Sequence, residues 1–205
     1  MSSPVHRRDP DQTRQDILDA AFEEIHVKGF RSASLDNILK KTGVTKGALY
    51  HHFPNKAELG YAVLDEMIMP HYYQDWRPLL DETRDPLDAL IGVIEHVCAE
   101  RVNEFLVMGC PVNNLVQEMS GLDEGFRKRL LIMLDAWVGA IEKALRRGQA
   151  QGSVRSDIDP TDSARMIVST FQGSAGLAKC SQDGDVFRDC MRSLIRYCEG
   201  LRSAK

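Results

Sequence analysis

The chain has 205 residues, a length that suits one large domain or a small domain joined to a larger one. Hydrophobic residues make up 43% and charged residues 27%, which excludes a disordered chain and supplies a core that needs neither disulfides nor structural metal. The formal net charge of -4 argues against a nucleic-acid partner until the chain is divided, because residues 1–56 carry 9 Lys+Arg against 7 Asp+Glu and the remainder 17 against 23. A mildly basic head on an acidic body is compatible with a phosphate-bearing partner, since affinity follows where the cations sit.

From Met1 to Asp16 the sequence is polar, unlike a secretory signal. No run approaches the roughly 18 apolar residues of a membrane span. The expectation is a cytoplasmic protein with no membrane partner. From Thr13 to Lys28 the residues Ile17, Leu18, Ala21, Phe22 and Ile25 recur at helical spacing, and Gly29 supplies a stop. Ser34 is placed to cap a short helix through Lys41, which Gly43 closes. Thr45 can cap a third helix from Lys46 to Phe53, broken by Pro54-Asn55. A longer helix from Lys56 stops near Pro70 or continues, kinked, towards Trp76. Another follows Pro86, with Leu87, Leu90, Ile91, Ile94 and Val97 on one side. A shorter one spans Val112–Met119, and a long one runs from Asp123 to Gln149 with Phe126, Leu130, Met133, Leu134, Trp137 and Ile141 as its apolar face. After a loop from Gly152 to Pro160, two helices run from Thr161 to Lys179 and from Val186 to Leu201. With no strand pattern or repeat, the prediction is an all-α fold of about nine helices. Its first three form a head over 1–56, and the others form a body over 57–205.

The segment SLDNILKKTGVTKGALYHHFPNK, Ser34 to Lys56, carries the functional signal. Two short helices joined at Lys41-Thr42-Gly43-Val44 form a helix-turn-helix, whose second helix lies in the major groove of double-stranded DNA. Ile38 and Leu49 are spaced to plug the core between them. Lys46, Tyr50 and His51 then project, joined by His52, while small residues at Gly47 and Ala48 permit close approach of the backbone. Tyr50 and His51 offer hydrogen bonds to phosphates, and Lys46 and Lys56 add cations. A pair of short amphipathic helices is by itself only an αα-hairpin. The Tyr50-His51-His52 cluster beside Lys56, on a face with no apolar period, is what distinguishes this pair.

The run from Gly43 to Lys56, followed by Leu59, resembles the DNA-binding signature of the TetR (tetracycline-repressor-like) family. Ile17-Leu18-Asp19-Ala20-Ala21-Phe22 and Gly29-Phe30 match that family's first helix and turn. The resemblance covers residues 11–60, and the rest agrees in length and helical character. It implies that Ser34, Thr45, Lys46, Tyr50, His51 and Lys56 contact a palindromic operator, that the protein is a homodimer paired through its last two helices, and that the body binds a small-molecule inducer. Asp36 departs from the basic or neutral residue usual near the start of the second helix and is given no DNA contact. Independently, Phe187, Cys190, Met191, Leu194, Ile195, Cys198 and Leu201 form an apolar stripe on the final helix suited to pairing. The preceding helix carries Phe171 beside the small residues Gly173, Ser174, Ala175 and Gly176.

Candidates for the lining of an inducer cavity are Trp76, Phe105, Met108, Cys110, Met133, Trp137, Phe171 and Gln172. Met108-Gly109-Cys110-Pro111 is similar to the Gly-Cys element that opens the sixth helix in a subgroup of these repressors, where some cysteines sense electrophiles. A thiol at a helix N-terminus is expected to have a lowered pKa, whereas a buried cysteine is usually an inert small hydrophobe. Both roles stay open. The five cysteines form no CxxC pair, which disfavours a zinc ribbon or a disulfide framework. The rival classes are a helical interaction module and an enzyme. Gln172 stands where a nucleophile elbow needs its first glycine, and no strand precedes it. His51 and His52 are adjacent and share no helix face as a metal pair would. His26, His71 and His96 are isolated in sequence. No catalytic set, metal site or cofactor is expected.

Overall fold

Asp9, Pro10 and Thr13 start the first helix earlier than apolar spacing alone predicts. The Asp9 side chain accepts from the Asp11 amide at 3.0 Å, and Pro10 occupies a first-turn position where no amide is needed. The computed structural model describes residues 9–82 and 84–204, so the polar leader from Met1 lies partly outside the described residues. Helix α1 (Pro10–Lys28) is followed by α2 (Leu35–Thr42) and α3 (Lys46–His52). Ile17, Leu18, Ala21, Ile38, Val44, Leu49 and Phe53 are all buried and fill the head.

Asn55 caps α4 (Lys56–Ala62) by accepting from the Glu58 amide at 2.9 Å. That helix runs through a π-helical turn (Val63–Ile68) into α5 (Met69–Trp76) and a 3-10 turn (Arg77–Leu80). The rod therefore passes Pro70. A widened turn, closed by the Met69 amide donating to the Leu64 carbonyl, absorbs the proline that would break regular α-helix.

The body comprises α6 (Pro86–Val107), α7 (Pro111–Met119), α8 (Glu124–Gln151), α9 (Pro160–Ser181) and α10 (Gly184–Glu199). Asp85, Asp123, Asp159 and Asp183 cap α6, α8, α9 and α10 through their side chains. Helices α6, α8, α9 and α10 pack on one another, and α7 lies against α8. At their centre the rings of Tyr72, Trp76, Phe105, Trp137, Phe171 and Phe187 touch in sequence, with centroids 5.3–6.2 Å apart. Among the described residues no strand forms, only an isolated bridge between Val154 and Arg202, and no helix is long and apolar enough to cross a membrane.

The stripe on the final helix requires correction. Phe187, Met191, Leu194, Cys198 and Leu201 are buried within the chain, where α10 packs on α6 and α9; only Cys190 and Ile195 are half-buried. One helix presents one apolar face, and here its own neighbours cover it.

Candidate nucleic-acid interface

The helix-turn-helix is assembled by local capping. Ser34 Oγ accepts from the Asn37 amide at 3.4 Å and opens α2. Glu24 on α1 accepts from the Ser34 amide at 3.2 Å and Asn37 Nδ2 at 2.9 Å, and pairs with Lys28 at 3.0 Å. Those bonds, Asn37 foremost and then Lys28, hold the Glu24 carboxyl below the usual carboxylate range. Gly43 ends α2 at φ 65°, in the left-handed region that favours glycine, and donates to the Leu39 carbonyl at 2.8 Å. The Thr42 hydroxyl donates to the Ile38 carbonyl at 2.9 Å and accepts from the Val44 amide at 3.3 Å, which stiffens the turn. Thr45 Oγ1 then accepts from the Ala48 amide at 3.2 Å and starts α3.

With Leu49 turned inward, α3 exposes Thr45, Lys46, Gly47, Tyr50 and His51. Ala48 and His52 are half-buried at its edges. Tyr50 is 40% exposed, and Lys46 Nζ lies 6.0 Å from the centre of its ring. The rings of His51 and His52 meet edge to face at 5.5 Å. Beyond the local backbone and its chain neighbours, nothing lies within 4 Å of where a Gly47 side chain would begin, so the space there is open. Ser34 sits half-buried at the entrance to α2, its oxygen already accepting. Lys56 is less free than the sequence implies. It donates to the Arg31 carbonyl at 3.0 Å and lies 4.9 Å from the centre of the Phe30 ring, and burial lowers its pKa. Its charge is held at the turn between α1 and α2.

The head is braced from behind. Arg14 pairs with both oxygens of Glu66, at 2.6 and 2.7 Å, while its guanidinium covers Phe53 at 5.0 Å. Lys41 pairs with Glu23. Three short capped helices, packed on α1, thus present polar, aromatic and cationic groups beside Gly47 and Ala48, a chemistry suited to the major groove.

A family model described as bacterial regulatory proteins, tetR family, matches residues 17–63, and one described as tetracyclin repressor-like, C-terminal domain, matches residues 86–194, more than half of the chain. The chain belongs to the TetR family. Its fellow members include the transcriptional regulator AcuR of Cereibacter sphaeroides, 30% identical over 92% of this chain and 86% of the relative. The crystal structure of regulatory protein TetR from Rhodobacter sphaeroides superposes with a TM-score of 0.80 at 30% identity, covering 90% of this chain and 98% of the other. A TetR transcriptional regulator from Chloroflexus aurantiacus reaches 0.87 at 25% identity, covering 96% of this chain and 100% of that one. As a TetR-family protein the chain is a DNA-binding transcriptional regulator.

In the body of this TetR-family regulator, Trp76, Met133 and Trp137 line a cleft of about 280 Å³ between α5 and α8, together with Met69 and Tyr73. Gln172 lines a different cleft, of about 290 Å³, with Asn113, Leu134 and Val138. Both polar atoms of its side chain are buried without a hydrogen-bond partner. Phe105, Cys110 and Phe171 line neither cleft: each is buried in packed core, and Met108 is half-buried at the end of α6. The predicted lining is thus divided between two clefts and the aromatic centre. Cys110 requires a second correction. It stands at the N-cap position of α7 without a side-chain capping bond, the residue is 1% exposed, and burial raises its pKa against the opposing pull of the Asn113 and Val112 amides. Desolvation of the thiolate outweighs the helix terminus.

Three residues that the local sequence pattern passed over prove structurally central. Tyr72 is buried between the Trp137 ring and the Arg101 guanidinium. His26 is buried where α1 meets the end of α6. Glu118 on α7 bonds to the turn after α1. Spacing along one helix carries no signal for partners 83 to 88 residues away.

Proposed function

We propose that this regulator is a homodimeric repressor whose head, residues 1–56, grips a palindromic operator while its body, residues 57–205, responds to a small molecule. The observation that carries the reading is the outward face of α3, where Lys46, Gly47, Tyr50 and His51 stand exposed on a helix anchored by Leu49. Thr45, Lys46, Tyr50 and His51 touch phosphates and base edges, with Gly47 and Ala48 letting the backbone approach. Ser34 and Lys56 flank the groove at the ends of neighbouring helices. Pairing through α9 and α10 sets two such faces about one DNA turn apart, ~34 Å. The outer face of α9, with Arg165, Ser169 and Gly173 exposed beside Leu177 at 57% exposure, supports that pairing in place of the buried stripe on α10.

The cleft flanked by Trp76, Met133 and Trp137 suits a flat apolar inducer, which lowers operator affinity by as much as it prefers the released arrangement of the heads. The raised thiol of Cys110 supports a packing role. A regulator working on DNA belongs in the cytoplasm, and relatives that are transcriptional regulators support a regulator over an enzyme. Binding to the DNA upstream of the protein's own coding region tests the reading. Affinity is expected to fall steeply with salt, and Lys46→Ala to reduce the salt slope by about one charge. Salt-independent binding, or none at low ionic strength, would refute it.

A further inference from the structure

The corner that leads into α7 bonds to α1, and the last turn of α7 bonds to the turn that follows α1. At the N-terminal end the buried His26 imidazole, on the last turn of α1, bonds through Nε2 to the Gly109 carbonyl at 2.9 Å, with Nδ1 3.8 Å from Glu104 Oε1. At the C-terminal end the Glu118 carboxylate accepts from two consecutive amides of the head, Phe30 at 2.8 Å on one oxygen and Arg31 at 2.8 Å on the other. Both amides lie in the turn after α1, outside its helical ladder. Charge-assisted bonds to an ionised carboxylate are the strong kind.

The local sequence is shaped around this clasp. Gly29 precedes the two amides at φ 80°, and a side chain built there would begin 2.9 Å from Glu118 Oε2. Gly109 lies at φ 73° beside the His26 bond. Both glycines thus occupy left-handed backbone that other residues rarely adopt. Between the two joints Phe22, Ile25, Ile68, Pro111 and Leu115 close together around a void of only about 10 Å³. Lys56 completes the arrangement by bonding the Arg31 carbonyl and covering Phe30, whose ring also packs at 4.6 Å on Phe126 of α8. A helix of nine residues, ~13 Å long, is thus held near both ends with almost no space between.

We infer that Glu118 and His26 are positioning residues for operator binding: α7 is a strut that fixes the angle of the reading head on the body, and a shift of the corner between α6 and α7 reaches α3 through these two joints. Neither residue touches DNA. Both act on where the head sits, and so on whether two heads of a pair engage one operator together. The inference rests on the reading of paired heads given above. In that reading the full site gains over a half-site through effective concentration, a gain that disappears when geometry forbids simultaneous engagement.

The test uses a palindromic duplex recovered from a random pool by the wild-type protein, and a duplex holding one of its halves, with no inducer present. Glu118→Ala is expected to weaken the full site ~10- to 100-fold while changing the half-site less than ~3-fold, because only the gain from joint engagement is lost. Glu118→Gln, which keeps the shape and one good acceptor, should fall between. His26→Ala should repeat the pattern through the other joint. Should Glu118→Ala fail to fold, Glu118→Gln and the amide exchange rates of Phe30 and Arg31 in the wild-type protein decide the matter, fast exchange of both amides contradicting the clasp. Equal weakening of both duplexes, or no change in either, would overturn the inference while leaving the regulator reading intact. Failure of the wild-type protein to recover any duplex would overturn both.

Discussion

The reading head and the aromatic centre of the body were each marked by a handful of side chains, and the structure treats them in opposite ways. In the head those side chains are left outside, on a helix held from beneath by Leu49 and at its start by Thr45. In the body Trp76, Trp137, Phe105 and Phe171 are drawn inside and packed on one another. A surface that must meet a rigid duplex is built in advance from short, capped pieces. The aromatic centre of the body is instead filled by its own side chains. The exposed side chains of α3 can therefore change at little cost to the fold, whereas the aromatic rings of the body cannot.

Substitutions can break that contrast. The largest effect is expected from Trp137→Ala, which empties a buried site between Trp76 and Tyr72 and should cost about 3–5 kcal/mol by chemical denaturation. Leu49→Ala should cost about 2–4 kcal/mol and abolish DNA binding, because it removes the anchor of the reading helix. If Trp137→Ala proved neutral in stability, the centre would be a preformed cavity and the contrast would fail. Thr45→Ala removes a helix cap and should cost about 1 kcal/mol, with DNA affinity falling further than that loss of stability explains. The smallest effect concerns acid. Glu24 in the head and Asp123 in the body are both held below their usual values, by Asn37 and Lys28 in one case and by the Phe126 amide and Tyr61 hydroxyl in the other. Each stabilises the fold while ionised, so its contribution is full above the ordinary carboxylate values of about 4 and is lost as pH falls through the depressed folded value. Melting curves from pH 6 down to 3 should show that decline, less than about 1 kcal/mol for Glu24. In Glu24→Gln the decline should shrink by the Glu24 share and keep the Asp123 share.

What the sequence made legible follows the same division. Ser34, Gly43, Thr45 and Asn55 act within three or four residues of themselves, so the helix-turn-helix and its outward face could be read directly from spacing. The rod past Pro70 was half legible: proline predicts a break, and only the widened turn before it lets the helix continue. The stripe on α10 was legible as a stripe but not as to its partner, because periodicity records that a face is covered and not by what. Cys110 was read from its place at a helix start, while its ionisation is governed by burial that only tertiary packing creates. The clasp between Glu118 and the turn after α1 left no local trace at all, apart from glycines at 29 and 109 whose need appears only once the backbone angles are known.

The central claim is that the exposed face of α3 enters the wide groove of a duplex. Dimethyl sulfate protection on a bound operator tests it directly, since guanine N7 lies in the major groove and adenine N3 in the minor. Two symmetric patches of protected guanine N7, about one helical turn apart, are predicted, and Tyr50→Ala should erase both. Protection confined to adenine N3, or a pattern unmoved by Tyr50→Ala, would contradict the account.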